Sequence, residues 1–213
     1  MSSTASAEVV TRVERFDPEH VYRDQAQHVW PSVTQILGAV PPWLGRFDHI
    51  PPDRLEYKRQ LGSAVHQAIA LDAEGDLDEG SVDPAVLPYL VAWRRYQAES
   101  GFVARWTERV IWSGRHGYAG TLDALGVLPD GRKLLVDAKT GSPLDAPLAG
   151  PQTAAYLEAA REAGLAGADG VVYRASVHLR DDETYRVMPH TSREDWSVFL
   201  AALQLVRFQA RVR

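Results

Sequence analysis

The chain predicts an α/β protein with a central mixed sheet flanked by helices. Three observations carry this. Residues 53–100 show two helical stretches and no strand pattern. Residues 103–139 hold three aliphatic runs bounded by turn signals. After residue 150 the pattern returns to helix, then two strands, then helix.

At the start of the chain, residues 1–20 lack periodicity and read as a flexible arm or an edge segment, leaving 21–213 as a single domain. Trp30-Pro31-Ser32-Val33-Thr34 leads into a short helix, capped by Ser32 or Thr34. Pro41-Pro42 and Pro51-Pro52 break the chain after it. Asp53 and Glu56 have capping-box spacing, so a helix is expected to begin there and run to about residue 71. Residues 72–83 are acidic and read as a loop. A second helix is expected over 84–100, with Leu87, Leu90, Val91, Trp93 and Tyr96 as its apolar positions. Strands are expected over 103–112, 118–127 and 132–139. Gly150-Pro151 should open a helix, since proline suits a first turn, and run to about residue 163. Strands are expected again over 170–179 and 184–188. Ser192 is expected to cap a last helix with Trp196, Phe199, Leu200, Leu203 and Val206 as its stripe.

The hairpin in the middle can be registered from its turn. Pro129-Asp130-Gly131 suits a three-residue loop with Gly131 left-handed, which pairs Leu128 with Arg132. Counting back places Asp123 opposite Asp137. Opposed residues share a face, and so does Lys139, two positions on. Two carboxylates this close repel unless a cation lies between them, and oxygen ligands favour Mg²⁺ or Mn²⁺. The plainer alternative is a surface hairpin with a charge cluster.

Composition narrows the classes. At 213 residues and 45% hydrophobic content, one soluble domain with a full-sized core is expected. There is no cysteine, which excludes disulfides and cysteine-held zinc or iron–sulfur clusters. No signal peptide or membrane-spanning run is visible, so a cytoplasmic protein is expected. The net charge of −5 does not advertise nucleic-acid binding but does not forbid it, because phosphate contacts need only a local basic strip. Candidate strips are Arg54, Lys58 and Arg59, and Arg94 and Arg95; the plainer reading is solvated helix faces. The arginine and alanine bias speaks of a GC-rich genome. Lysine is rare (Lys58, Lys133 and Lys139), and one of the few stands in the candidate site.

Four motifs occur in order: Gly62-Ser63-Ala64-Val65-His66, Gly120-Thr121-Leu122-Asp123, Asp137-Ala138-Lys139 and Gln152-Thr153-Ala154-Ala155-Tyr156. Together they resemble the PD-(D/E)XK nuclease superfamily, in its RecB-type branch of small phage and bacterial exonucleases, over roughly residues 30–205. Residues 30–34 also resemble the leading segment of phage members. The resemblance implies a restriction-endonuclease-like αβββαβ core, preceded here by an N-terminal helical segment. It implies a divalent-metal-dependent DNA nuclease, more an exonuclease than a site-specific endonuclease, leaving 5′-phosphate ends in recombination, repair or phage replication. His66, Asp123, Asp137 and the Ala138 carbonyl would hold Mg²⁺ or Mn²⁺. Asp123, Asp137 and Lys139 would form the catalytic group, and Gln152 and Tyr156, one turn apart, would hold Lys139 or a phosphate.

The chain departs from the family pattern in places. Pro129-Asp130 is a literal Pro-Asp pair, but it lies at the hairpin tip, remote from Lys139. Asp137 is shorter than the glutamate the motif also allows, and the cysteines that hold a cluster in some relatives are missing. Glu108 occupies a strand position where related nucleases often carry a glutamate; it reads as a supporting acid or a surface salt bridge. His116 and Tyr118 are weaker candidates, and His178 and His190 read as structural. Trp43, Trp93 and Trp106 could stack on bases but are by default core residues. A homo-oligomer or a recombination-protein partner is compatible with the sequence. The alternatives are a non-catalytic DNA-binding or recombination module that keeps the fold, and a hydrolase of small phosphoesters.

Overall fold

The computed structural model describes residues 12–16, 21–39, 51–140 and 146–212. A three-stranded antiparallel sheet comes first: β1 (Val13–Phe16), β2 (Val21–Asp24) and β3 (Val29–Trp30). Next come the helices α1 (Val33–Gly38), α2 (Pro52–Glu74) and α3 (Leu87–Ser100). The main sheet has five strands in the order β4 (Val103–Ser113), β5 (Tyr118–Val127), β6 (Lys133–Lys139), β7 (Val172–Leu179) and β8 (Tyr185–Pro189). Helix α4 (Ala146–Glu162) joins β6 to β7, and α5 (Asp195–Val212) comes after the sheet. The β6–β7 pair is parallel and all others are antiparallel, so the sheet is mixed. A parallel pair needs a crossover, and α4 supplies it. The core runs helix, three strands, helix, strand, the order expected of a restriction-endonuclease-like core.

The sheet is covered on both faces. Ile36 and Leu37 of α1, Ala155 and Ala159 of α4, and Phe199 and Leu203 of α5 pack with Leu122 and Leu135. On the other side, Val65 and Ile69 of α2 and Leu90 and Trp93 of α3 pack with Ala124, Val136 and Val177. Strands buried on both faces explain the near-continuous apolar run Leu134-Leu135-Val136. Phe199 is fully buried, and its truncation to alanine should cost about 3–5 kcal/mol.

The hairpin obeys its turn chemistry. Leu128 N–H donates to the Arg132 carbonyl at 2.9 Å, and Gly131 has φ +83°. The register then runs Val127↔Lys133 to Ala124↔Val136. Ser32 caps α1 through a reciprocal pair: its hydroxyl accepts Gln35 N–H at 3.1 Å, and its own N–H donates to Gln35 Oε1 at 3.0 Å.

Of the two alternatives for the first residues, Val13–Phe16 take the edge segment: they form an edge strand, with Val13 buried and Glu14↔Arg23 in register. Three sequence expectations need correction. Pro51, not Asp53, stands at the cap of α2, so the capping box does not form and proline fills the first turn instead. Helix α4 starts at Ala146, which leaves Pro151 inside it and puts Pro147 in the first turn. Ser192 caps a turn ahead of α5: its hydroxyl accepts Glu194 N–H at 3.1 Å, and the helix proper begins at Asp195. The Pro41-Pro42 break and Trp43 lie outside the described residues.

Candidate metal centre

The site forms where the β5–β6 ladder ends. A continued ladder would send Ala138 N–H to the Leu122 carbonyl, by the register of the hairpin. Instead Asp123 Oδ2 accepts that N–H at 2.7 Å. The expected Asp123–Asp137 opposition is therefore the first step beyond the hydrogen-bonded pairs, which stop at Ala124↔Val136. The carboxylate takes the place of a backbone acceptor, so its position is set by the end of the ladder.

Strand β4 brings a third acid. Ser113↔Tyr118 and Arg109↔Leu122 set the β4–β5 register, which puts Glu108 across from Asp123. The strand carries a bulge between Ala104 and Trp106, and Glu108 itself has φ +42°. Bulges and left-handed non-glycine residues re-aim side chains, and such strain costs about 1–3 kcal/mol. The Glu108 carboxylate faces helix α2. His66 Nδ1 lies 3.0 Å from Glu108 Oε1 and 3.4 Å from Asp123 Oδ1. One nitrogen and two carboxylate oxygens of His66, Glu108 and Asp123 all lie within 4.8 Å of one another, a group that could hold a metal ion. The three side chains keep 25%, 24% and 12% of their surface, so solvent can reach them.

This trio differs from the one expected from sequence. Glu108, read there only as a supporting acid or a surface salt bridge, lies nearest to His66, and Asp137 lies outside the trio. Asp137 is 1% exposed, with Oδ1 2.9 Å from Lys139 Nζ and Oδ2 accepting from Ser176 Oγ at 3.2 Å. The signal that could have found Glu108 was a second register count, from the tight loop between Ser113 and Tyr118.

Lys139 is held on its other side as well. Its Nζ donates to Gln152 Oε1 at 3.1 Å, and Gln152 Nε2 donates to Tyr156 Oη at 3.0 Å. A lysine offers only donors, which fixes the amide orientation of Gln152. Gln152 and Tyr156 sit one turn apart on α4, both buried. Gly120 makes room for the Tyr156 ring, since a Cβ there would lie 2.7 Å from Tyr156 Cε1. Ala138, between Asp137 and Lys139 of β6, is buried.

The electrostatics reflect this crowding. Burial pushes the Asp123 carboxyl up to about 7; the His66 charge opposes this, while Asp137 and Glu108 add to it. Burial alone would lower the His66 imidazole. The Asp123 charge and the Glu108 hydrogen bond outweigh that and lift it to about 9. Burial keeps the Tyr156 phenol well above its ordinary range, and the nearby Asp123 and Asp137 charges reinforce this. Burial lowers the His190 imidazole.

The small first sheet also reaches the site. Arg15 of β1 lies 3.6 Å from Glu108 Oε2. Tyr22 of β2 shares a 2.8 Å hydrogen bond with Thr121 of β5. Neither contact was readable from the sequence pattern.

The other candidates are placed elsewhere. Arg94 pairs with Asp72 and Glu79, and Arg95 with Glu99, so that strip is largely neutralised. Arg59 pairs with Glu56; Arg54 and Lys58 are exposed on α2. Tyr118 is fully buried and donates to the Ala155 carbonyl, and His116 packs edge-on against Trp196. Trp93 is core, and Trp106 donates to the Ala166 carbonyl. His178 is buried in β7, and His190 bonds Ser176.

No helix among the described residues is long and apolar enough to cross a membrane. No protein-family model matches the chain, and no curated protein matches it. Among solved structures the chain is similar to "Crystal Structure of LHK-Exo in complex with dAMP". The two are 16% identical with a TM-score of 0.33, over 86% of this chain and 95% of that one.

Proposed function

We propose that the protein is a divalent-metal-dependent DNA nuclease, acting as an exonuclease. The observation that carries this reading is the convergence of His66, Glu108 and Asp123 beside the Asp137–Lys139–Gln152 chain. A purely structural cluster has no need of a lysine set among paired acids. The exonuclease preference, and DNA as the substrate, rest on analogy with the family that the motifs resemble and not on any residue.

The donor set fits a hard cation: one imidazole nitrogen and two carboxylate oxygens already converge. His66, Glu108 and Asp123 would hold Mg²⁺ or Mn²⁺, with Asp137 and the Ala138 carbonyl supplying further oxygens from β6. When bound, the cation polarises the scissile phosphate and lowers the pKa of water. Lys139 orients the attacking water and offsets the negative charge growing on the phosphate oxygens. Asp137 and Gln152 hold the lysine in place for that task. The water oxygen bonds to phosphorus and gives up a proton to solvent as the bond to the 3′ oxygen breaks; that oxygen takes a proton from solvent, leaving 5′-phosphate and 3′-hydroxyl ends. Tyr156 stays protonated and steadies Gln152.

The test uses end-labelled linear DNA, single- and double-stranded, with circular DNA as the control for end dependence. Each is incubated with Mg²⁺, Mn²⁺ or EDTA. Degradation from ends with either metal and none with EDTA is expected. Equal cutting by the native, Lys139→Ala and Asp123→Ala proteins would refute the reading. Cutting of circles would replace exonuclease with endonuclease.

A further inference from the structure

We propose that His190 is a positioning residue for Asp137, acting through the hydroxyl of Ser176. The proposal rests on the nuclease reading in one respect: it takes Asp137 as a functional carboxylate.

Each proton around Asp137 can be assigned. Asp137 is buried; its Oδ1 is ion-paired with Lys139 Nζ at 2.9 Å without a hydrogen bond, and its Oδ2 accepts from Ser176 Oγ at 3.2 Å. Ser176 is fully buried and stands in register with Asp137 on the neighbouring parallel strand. On its other side Ser176 Oγ lies 2.8 Å from His190 Nε2. A serine hydroxyl has a single proton. A carboxylate paired with lysine only accepts, so that proton belongs to the Asp137 bond. Ser176 must then accept from His190, and His190 must carry its proton on Nε2. The reverse polarity would spend the hydroxyl proton on the imidazole. It would leave Oδ2 buried without a donor, a penalty of the order that unsatisfied charged groups incur.

The consequence is geometric. The Ser176 bond to Oδ2 restrains the terminal torsion of the carboxylate, which is otherwise broad. Oδ1 is thereby kept within ion-pair distance of Lys139. The residue that carries the imidazole is anchored in turn, because the His190 backbone N–H donates to the Arg174 carbonyl at 2.8 Å. The Arg174 guanidinium bonds the Gly150 carbonyl at 2.8 Å and Asp195 Oδ2 at 2.9 Å, tying β7 to α4 and α5. The lysine is thus positioned from a clamp on the far side of β7. Partners of this kind typically shift affinity or activity about 10–100-fold when lost.

Two measurements test it. In native metal-free protein, long-range ¹H–¹⁵N spectra should show His190 as the Nε2–H tautomer; the Nδ1–H tautomer overturns the proposal without any variant. Then His190→Leu, His190→Gln, Ser176→Ala and Asp137→Asn are compared for Mg²⁺-dependent cleavage, for Mn²⁺ binding by electron paramagnetic resonance, and for melting temperature. His190→Leu and Ser176→Ala should lower kcat about 10–100-fold with KM for DNA unchanged. His190→Gln, which keeps an N–H donor, should recover most of that loss. Equal loss in the Leu and Gln variants, or none in Leu, sinks the positioning role. Full activity in Asp137→Asn overturns the proposal at its premise, because Asp137 is then no functional carboxylate; absence of Mg²⁺-dependent cleavage by the native protein sinks the nuclease reading instead.

Discussion

Strand β6 has an Asp-x-basic tripeptide at each end, and the two behave oppositely. Asp130-Gly131-Arg132 sits at the hairpin tip, with Asp130 Oδ2 2.6 Å from Arg132 Nε and both side chains about half exposed, at 50% and 54%. Asp137-Ala138-Lys139 closes the strand at its other end, with a similar ion pair of 2.9 Å, yet Asp137 is 1% exposed. At the tip, water solvates both charges and Arg132 holds the Asp130 carboxyl below its ordinary value. At the other end the same chemistry is enclosed by β4, β5, β7, α2 and α4, and further polar partners are recruited: Ser176, Gln152, and beyond them His190 and Tyr156. The tripeptide does not set its surroundings by itself; enclosure and partners distinguish the two ends.

Removing the basic residue at each end tests this contrast most directly. Lys139→Ala should lower kcat about 10²–10³-fold, the usual loss when one preorganised charge stabiliser is removed. Arg132→Ala should leave cleavage intact. Single-turnover rates at saturating metal measure both, and a shared loss would mean that the two ends are not functionally distinct. Asp123→Ala is expected to be at least as damaging as Lys139→Ala. It removes a metal oxygen, and it also strips the acceptor from Ala138 N–H.

A smaller effect separates the acids within the site. Glu108→Gln keeps the shape but removes a charge. Apparent Mg²⁺ affinity should weaken about 10–100-fold, with recovery at high metal concentration. Isothermal titration with Mn²⁺ measures it directly. An unchanged affinity would return the cation to the Asp123–Asp137 arrangement expected from sequence.

Protons report on the same enclosure. Asp123 has its folded pKa raised from 3.8 to about 7, and His66 from 6.5 to about 9. Both groups bind protons more tightly in the folded chain than in the unfolded one. Their contribution to stability is whole below the unfolded values. It falls as pH rises through about 7 for Asp123 and through about 9 for His66. A cation must displace the His66 proton, so it should raise the melting temperature more near pH 9 than near pH 6. Thermal melts with and without Mn²⁺ test this, and an increment that is flat or shrinks with pH would contradict it.

The same contrast between local and enclosed chemistry decides what the sequence could disclose. The hairpin register was legible because Pro129-Asp130-Gly131 is local chemistry: one glycine at positive φ and one Leu128–Arg132 pair fix every residue behind them. The α/β order was legible from periodicity. The place of Glu108 beside His66 was not legible because it needs a second register count, from the Ser113–Tyr118 loop, and a left-handed residue that β4 does not advertise. The first sheet was missed because its strands have only four, four and two residues, too short for alternation to stand out. With it went Arg15, whose place beside Glu108 is purely tertiary. The start of α4 was misplaced because two prolines compete for the first turn. Pro147 occupies it, and Pro151 is tolerated within, where Thr153 Oγ1 donates back to the Ala149 and Gly150 carbonyls.

The smallest change is expected at the hairpin tip, where a null result is the informative one. Asp130→Ala removes the literal Pro-Asp acid together with its ion pair and its bond to Arg132 N–H. An exposed pair gains little from Coulomb attraction in water and loses side-chain freedom in forming. The turn itself rests on Gly131 and on the Leu128–Arg132 backbone bond, which alanine leaves intact. Cleavage rate, Mn²⁺ affinity and melting temperature should therefore all match the native protein within error. A measurable loss of cleavage would show that the tip takes part in the reaction. The enclosed end of β6 would then no longer be the sole owner of the chemistry.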